Sequence, residues 1–353
     1  MKAKLIRTYD KLDALRVKLP RRLFARRTLK IKKKALKIKS LSSHEKKVVA
    51  DFWGKVKVNT DYISLYNRYN SRFDPRYIPD NLYFAEVDTY FNNARDSKAI
   101  DDKNLYDFYF HDVTCPKTIV RKIDQSYLNA THQIIPLDEV IDKCFAEKEI
   151  IIKKATNSNS GRGVLFWSKE DGVQTLKIIL QSPYDFIVQE IIKQHSAIAK
   201  LHQSSINTLR IVTLYYKEKV HVLSSVVRMG VDGSRVDNTP YSSMFCGINS
   251  DGSLKKYAYN MNGYRFDKHP NGTVFSEVKI PDFNSCIAFV KNIAPRFIRF
   301  SKLTSWDIAV GQDGLPILIE VNLNYGQLDY HQYTNGPIFG NLTEELIKEV
   351  FGK

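Results

Sequence analysis

One stretch constrains this chain more than any other: residues 305–322, Ser-Trp-Asp-Ile-Ala-Val-Gly-Gln-Asp-Gly-Leu-Pro-Ile-Leu-Ile-Glu-Val-Asn. Its flanks, 306–312 and 315–322, are apolar and β-branched. Asp313-Gly314 between them is a strong two-residue turn signal, so the stretch predicts a β-hairpin. With those two residues as the whole loop, Gln312 faces Leu315 and, counting back, Asp307 faces Glu320. Opposed side chains in a hairpin have Cβ atoms roughly 4.5–5.5 Å apart, and like charges there repel. Asn322 lies on the same strand face as Glu320. Two carboxylates and an amide oxygen thus converge, an arrangement that a hard divalent cation such as Mg²⁺ would relieve. The alternative is a solvated hairpin whose polar face looks at water. The other face, Ile317, Ile319 and Val321, is expected in the core.

The rest of the chain has the length for two or three domains around a sizeable core. No apolar run approaches the ~18 residues of a transmembrane helix. The basic N-terminus lacks the apolar segment of a secretory signal, so the expected location is the cytoplasm. The four cysteines, Cys115, Cys144, Cys246 and Cys286, are scattered without metal-type pairs and are expected as reduced thiols.

Charge is concentrated at one end. Residues 1–40 hold sixteen Lys/Arg and two Asp, a net +14 of the chain's +16, and the remainder is nearly neutral. Such a block reads as an attachment to something anionic. Leu and Ile are interleaved through it from Leu23 to Leu41, which fits a basic amphipathic helix on a membrane. It fits equally a solvated helix packed on the body through Leu29, Leu36 and Ile38. Nucleic acid is disfavoured, since no recognised nucleic-acid motif follows.

Between the two ends, helices are expected over 42–60 with Ser43 as cap, from Pro136 to about 147, and over 173–180, 195–201, 281–300 and 343–351. Strands are expected over 149–153, 164–167, 185–192, 205–216 and 220–229, the last two joined around Lys217-Glu218-Lys219. Residues 323–340 read as an irregular loop. The aromatic stretch 61–91 offers faces for sugar stacking or, more simply, for packing. Lys103 stands in the first turn of a helix, where the dipole disfavours it, a hint of an anionic ligand. Lys153-Lys154-Ala-Thr-Asn-Ser-Asn-Ser-Gly-Arg-Gly runs from a strand into a small, glycine-containing loop of the kind whose backbone N–H groups cradle phosphate. An ordinary turn is its alternative. Arg210 sits among Ile and Val in a strand, where a lone charge is costly and needs a partner or a ligand.

The order of these features resembles the ATP-grasp superfamily, and within it the sugar-transfer-associated group that accompanies polysaccharide genes. Four segments carry the resemblance: Asp102-Lys103; Lys153 with Ser160-Gly161-Arg162-Gly163; Gln189-Glu190-Ile191-Ile192 followed by Asn207-Thr208-Leu209-Arg210; and Trp306-Asp307 with Glu320-Val321-Asn322. Where the family often has proline after the strand lysine, this chain has Lys154, so either lysine could meet the phosphates; spacing to Gly161 favours Lys153. The resemblance implies an α+β ATP-grasp fold of two lobes clasping ATP, carrying a basic helical extension. The expected division is 1–45 for the extension, 46–115 for a preceding region and 116–345 for the ATP-grasp part, with lobes of about 116–200 and 201–345.

The resemblance further implies that Lys103 and Lys153 meet the α- and β-phosphates and that Ser160, Gly161, Arg162 and Gly163 cover them. Gln189, Glu190, Ile191 and Ile192 would bind adenine through their backbone, with Asn207 also at the nucleotide. Asp307, Glu320 and Asn322 would hold Mg²⁺. Arg210, with Lys153 and Arg228, would serve the transferred phosphoryl group, and Asp237-Asn238 would lie near the cleft. The implied activity is an ATP- and Mg²⁺-dependent carboxylate–amine ligase working through an acyl phosphate, joining an amino acid to a sugar acid of a polysaccharide precursor. Its partners would be a small or lipid-linked sugar and an amine, contacted by residues 228–238 and 325–334, with residues 1–40 near an anionic inner membrane face. The alternatives are a phosphotransferase acting on a hydroxyl and a non-catalytic glycan- or anion-binding protein.

Overall fold

Val, Ile and aromatic residues dominate the middle of the chain, and there they pair into two antiparallel sheets. The structure, a computed structural model, describes residues 2–93, 96–156, 163–237, 243–324 and 326–352, with side chains from residue 15 onward. Helices α1 (Lys2–Ala35), α2 (Ser43–Trp53), α3 (Thr60–Asn67), α4 (Asp80–Leu82), α5 (Asp88–Phe91) and α6 (Tyr106–Tyr109) precede the strands.

The smaller sheet comprises β1 (Thr118–Ile123), β2 (Ser126–Asn129), β3 (Glu149–Lys154), β4 (Val164–Ser168) and β5 (Phe186–Glu190), in the order β2-β1-β5-β3-β4. Helices α7 (Leu137–Ala146) and α8 (Gly172–Leu180) bury Val140, Cys144, Leu176 and Leu180 against its Ile150, Ile152, Phe186 and Val188. After α9 (Ser196–Ala199), the larger sheet takes over: β6 (Thr208–Tyr216), β7 (Lys219–Gly230), β8 (Ser243–Ile248), β9 (Leu254–Asn260), β10 (Arg265–Phe266), β11 (Leu303–Val310) and β12 (Pro316–Asn322). Its order is β10-β9-β8-β7-β6-β11-β12. One face packs Leu209, Ile211 and Ile308 on α10 (Phe283–Ile293) and Phe297. The other face packs Val212 and Leu214 on Trp53, Tyr66, Tyr83 and Phe84, together with Leu346 of α12 (Thr343–Phe351). The aromatic run therefore serves mainly as core: Tyr62, Tyr66, Tyr77 and Tyr83 are all buried.

The basic head is a helix clamped to the body. Ala25 enters the large core, and Leu29 and Ile38 pack on Tyr62 and Leu65. Among the described residues no helix is long and apolar enough to cross a membrane.

Local chemistry moved several expected boundaries. The cap of α2 is Ser42 rather than Ser43. Ser42 Oγ accepts from Glu45 N at 3.2 Å while Ser42 N donates to Glu45 Oε2 at 2.8 Å, a reciprocal box that only this register allows. The helix expected over 281–300 ends at Ile293 and tightens to a 3₁₀ turn, Ala294–Phe297, because Pro295 has no N–H to donate. The β6–β7 connection needs two residues, not three: Lys217 and Glu218 both take positive φ, 48° and 58°. Strands β1 and β2 have no counterpart among the expected elements. Residues 323–340 are not wholly irregular, since α11 (Asp329–Asn335) lies within them, ended by Gly336 at φ 88°.

Candidate active site

Asp307 and Glu320 do oppose each other across β11 and β12, by a route that the turn signal did not reveal. The loop is Gln312-Asp313-Gly314, closed by Gly311 N donating to Leu315 O at 2.9 Å, so the register near the turn is one residue off the expected one. A bulge restores it: Asp307 pairs with Glu320 and Ile308 with Leu318, leaving Ile319 extra. The same bulge changes the core face. Leu318 and Val321 are buried, whereas Ile317 and Ile319 are only half-buried.

Asp307 is a counter-ion in this arrangement. Arg210 lies directly across from it on β6 and grips it with two bonds, Nε to Oδ1 and Nη2 to Oδ2, both 2.6 Å. Arg228 Nη1 reaches Asp307 Oδ2 at 3.4 Å and, through Nη2, Asp237 Oδ1 at 3.2 Å. Tyr330 on α11 accepts from Arg210 Nη1 at 2.8 Å. Thr208, paired with Arg228 across β6 and β7, bonds Asp237 through its hydroxyl. All these charged groups are buried. Burial alone would raise the Asp307 carboxyl; Arg210 and Arg228 outweigh it and hold the group below the ordinary carboxylate range.

A second set of charges adjoins the first. Lys103 Nζ lies 2.8 Å from Glu320 Oε1. Lys103 does not begin a long helix. It opens the 3₁₀ turn Lys103–Leu105, whose start Asp102 caps by accepting from Asn104 N at 2.9 Å. Lys103 N donates to Ala155 O at 3.1 Å, tying this turn to the end of β3. Lys153, on β3, lies within electrostatic reach of the same charges. Burial, and then repulsion from Lys103, depress its ammonium to about 8. Lys154 points elsewhere, its Nζ 5.6 Å from the Tyr184 ring centre. Gly163, at φ 80°, lies against the Lys154 side chain so closely that a Cβ would come within 2.9 Å of it.

The remaining expected residues divide three ways. The backbones of Gln189 and Glu190 are spent in the sheet, between β1 and β3; Ile191 and Ile192 lie just past the last pairing, Ile150 with Glu190. Asn207 Nδ2 donates to Gln194 Oε1, Ile198 O and His202 O, while its Oδ1 is buried without a partner among the described residues. Ser160, Gly161, Arg162 and Asn238 lie outside the described residues. The cysteines are free, and burial pushes all four thiols up to about 12, which leaves them poor nucleophiles. Sequence reasoning missed Tyr330 as a partner of Arg210. Its helix is built largely from Tyr, His, Thr and Asn, which have weak helix propensity, and only Asp329 and Gly336 mark its ends.

The donor set can be weighed against a hard cation. Glu320 is partly exposed and, with the amide oxygen of Asn322, offers the oxygen ligands that Mg²⁺ takes. Asp307 has both oxygens on Arg210, so it would join such a site through the lone pairs that this grip leaves over. Among the described residues no group of three or more His, Cys, Asp and Glu is poised for a metal by itself. Substrate phosphates and water would have to complete the shell.

No curated protein sequence matches the chain significantly. Among solved structures, it resembles the ATP-grasp ligase PsnB complexed with minimal precursor, with 15% identity and a TM-score of 0.42, covering 73% of this chain and 64% of that one. D-alanyl-alanine synthetase A from Vibrio cholerae gives 14%, 0.41, 71% and 64%. D-cycloserine synthetase DcsG gives 12%, 0.41, 70% and 70%. The chain thus spans just under two thirds of the length of the first two. A family model described as sugar-transfer associated ATP-grasp matches residues 85–346, a span that holds every residue of the charge cluster. The chain belongs to the sugar-transfer associated ATP-grasp family.

Proposed function

We propose that the protein is an ATP- and Mg²⁺-dependent ligase that joins a carboxylate to an amine through an acyl phosphate, on a sugar-containing precursor of a cell-surface polysaccharide. The observation that carries this reading is the convergence of Lys103 and Lys153 on Glu320, beside the buried Arg210–Asp307–Arg228 cluster. Phosphoryl transfer asks a protein chiefly for positioning and charge neutralisation, and this cluster offers both. In the first step a carboxylate oxygen bonds to the γ-phosphorus as the bond to ADP breaks. In the second, an amine nitrogen bonds to the acyl carbon, phosphate leaves and the nitrogen loses a proton.

Lys103 and Lys153 would neutralise phosphate oxygens, and the backbone of Ile191 and Ile192, past the last sheet pairing, would meet the adenine edge. Arg210 and Arg228, locked by Asp307 and Asp237, would present fixed positive charge to the transferred group. Glu320 and Asn322, with Asp307 adjoining, would hold Mg²⁺, which would supply charge neutralisation to the phosphates. The sugar class of the substrate rests on the family description alone.

Thermal unfolding with and without Mg²⁺–ATP tests the nucleotide site. Ligand at ~100 times its Kd adds about 2.7 kcal/mol. The expected result is a Mg²⁺-dependent rise in midpoint that Lys153→Ala and Glu320→Ala lose. A screen of uronic acids with amino acids should then release ADP, phosphate and an amide. ADP with a phosphorylated product would replace ligation by hydroxyl phosphorylation, and no shift at millimolar ATP would overturn the reading.

A further inference from the structure

Helix α1 has two chemically different faces. The inner one is bound to the body: Ala25 and Leu29 are buried, Lys18 and Arg22 pair with Glu86, Arg21 with Asp88, Lys32 with Asp329 and Lys33 with Asp61. The outer one carries Leu15, Leu19, Leu23, Phe24 and Ile31, each 54% to 60% exposed. On the same outer face, among these apolar side chains, stand the exposed cations Arg16, Arg27, Lys30 and Lys34. An isolated exposed leucine needs no explanation, but several on the solvent face of one helix do. In water this face is costly; at a bilayer interface the apolar side chains enter the headgroup–acyl boundary and the cations meet anionic lipid.

We propose that the outer face of α1 docks the protein on an anionic phospholipid surface. Charge complementarity selects anionic over zwitterionic lipid, given the exposed cations Arg16, Arg27, Lys30 and Lys34 on this side of the helix. The apolar residues select a lipid surface over a soluble polyanion, which would give Leu19, Leu23 and Phe24 nothing to enter. Because the inner face is fixed by ion pairs, docking through the outer face holds the whole body, charge cluster included, in one orientation to the membrane. Deleting residues 1–40 would be a poor test, since it uncovers Tyr62 and Leu65.

The experiment is co-sedimentation of the full chain with vesicles of phosphatidylcholine alone or with about one-third phosphatidylglycerol. The variants are Leu19→Ser/Leu23→Ser/Phe24→Ser and Arg16→Glu/Arg27→Glu/Lys30→Glu, all at exposed positions, with thermal midpoints measured to show that each stays folded. The expected result is binding to the anionic vesicles that either triple variant weakens at least about tenfold. The idea is overturned if wild type ignores the anionic vesicles. It is also overturned if the apolar variant binds like wild type while dextran sulfate strips both from the vesicles, which would make the face a reader of soluble polyanions.

Discussion

Lys32 Nζ on the N-terminal helix lies 2.6 Å from Asp329 Oδ2, the residue before the tyrosine that holds Arg210. The pair is nearly buried, and Lys32 also stands 5.2 Å from the Tyr333 ring centre on the same helix α11. One ion pair therefore joins the basic extension to the helix that braces the charge cluster. Burial works to lower the Lys32 ammonium, but Asp329 and its neighbours outweigh it and hold the group well above its ordinary value. A raised lysine contributes stability that is fully present below its unfolded value, about 10.4, and lost only at higher pH. Lys32→Ala should thus destabilise the protein throughout the neutral range by about 3 kcal/mol. That is a drop of several degrees in the unfolding midpoint for a chain of this size.

Lys153 should make nucleotide binding pH-dependent. Its ammonium is depressed to about 8 in the ligand-free protein, by burial and by Lys103. Phosphate oxygens favour the charged form, so binding should take up a proton near pH 8, and affinity should fall as pH rises above it. Calorimetry in buffers of different ionisation enthalpy reads that uptake directly; Lys153→Ala should abolish it. The same depression means that the group's effect on folding runs the other way, with stability gained between about pH 8 and 10.4.

Asp307 and Glu320 face each other yet should respond differently to loss of charge. Asp307→Asn leaves two buried guanidinium groups with Asp237 as counter-ion and should cost about 3–5 kcal/mol in denaturant unfolding. It should also flatten the acid-side loss of stability. A depressed carboxyl contributes above its unfolded value of about 3.9, and that contribution disappears as pH falls below it. Glu320, with a side chain 25% exposed, should lose less stability in Glu320→Gln than Asp307 does in Asp307→Asn. Glu320→Gln should lose the Mg²⁺-dependent part of the ATP thermal shift instead.

Gly163 should resist any side chain. Its φ is 80°, and an added methyl group would stand only 2.9 Å from the Lys154 Cβ, so Gly163→Ala is strained twice over. The cost should be about 1–3 kcal/mol, seen as a lower unfolding midpoint. An unchanged midpoint would mean that this turn relaxes freely.

Much of this protein was legible in its residues because the signals were local. The start of α2 to within one residue, the opening of α7 at Pro136, and the β-branched runs of β3, β6, β7, β11 and β12 depend on near neighbours in sequence. So does the clustering of cations in residues 1–40. The candidate residues could be named on the same footing, as charges set in apolar strands or beside glycines. Their partners could not. That Asp307 is gripped by Arg210, 97 positions away, or that Lys103 meets Glu320, follows from how strands stack in the sheets and from a single bulge at Ile319. The two-residue turn reading put Asp307 opposite Glu320; the actual three-residue loop shifts the register by one, and only the bulge restores that pairing. Likewise α11, weak in propensity, exists because Tyr330, His331 and Gln332 are buried against the body. Sequence determined which charges this chain carries and which strands hold them. Tertiary packing alone decided which charges neutralise one another, because a buried charge takes its partner from whatever the fold brings within a few ångströms.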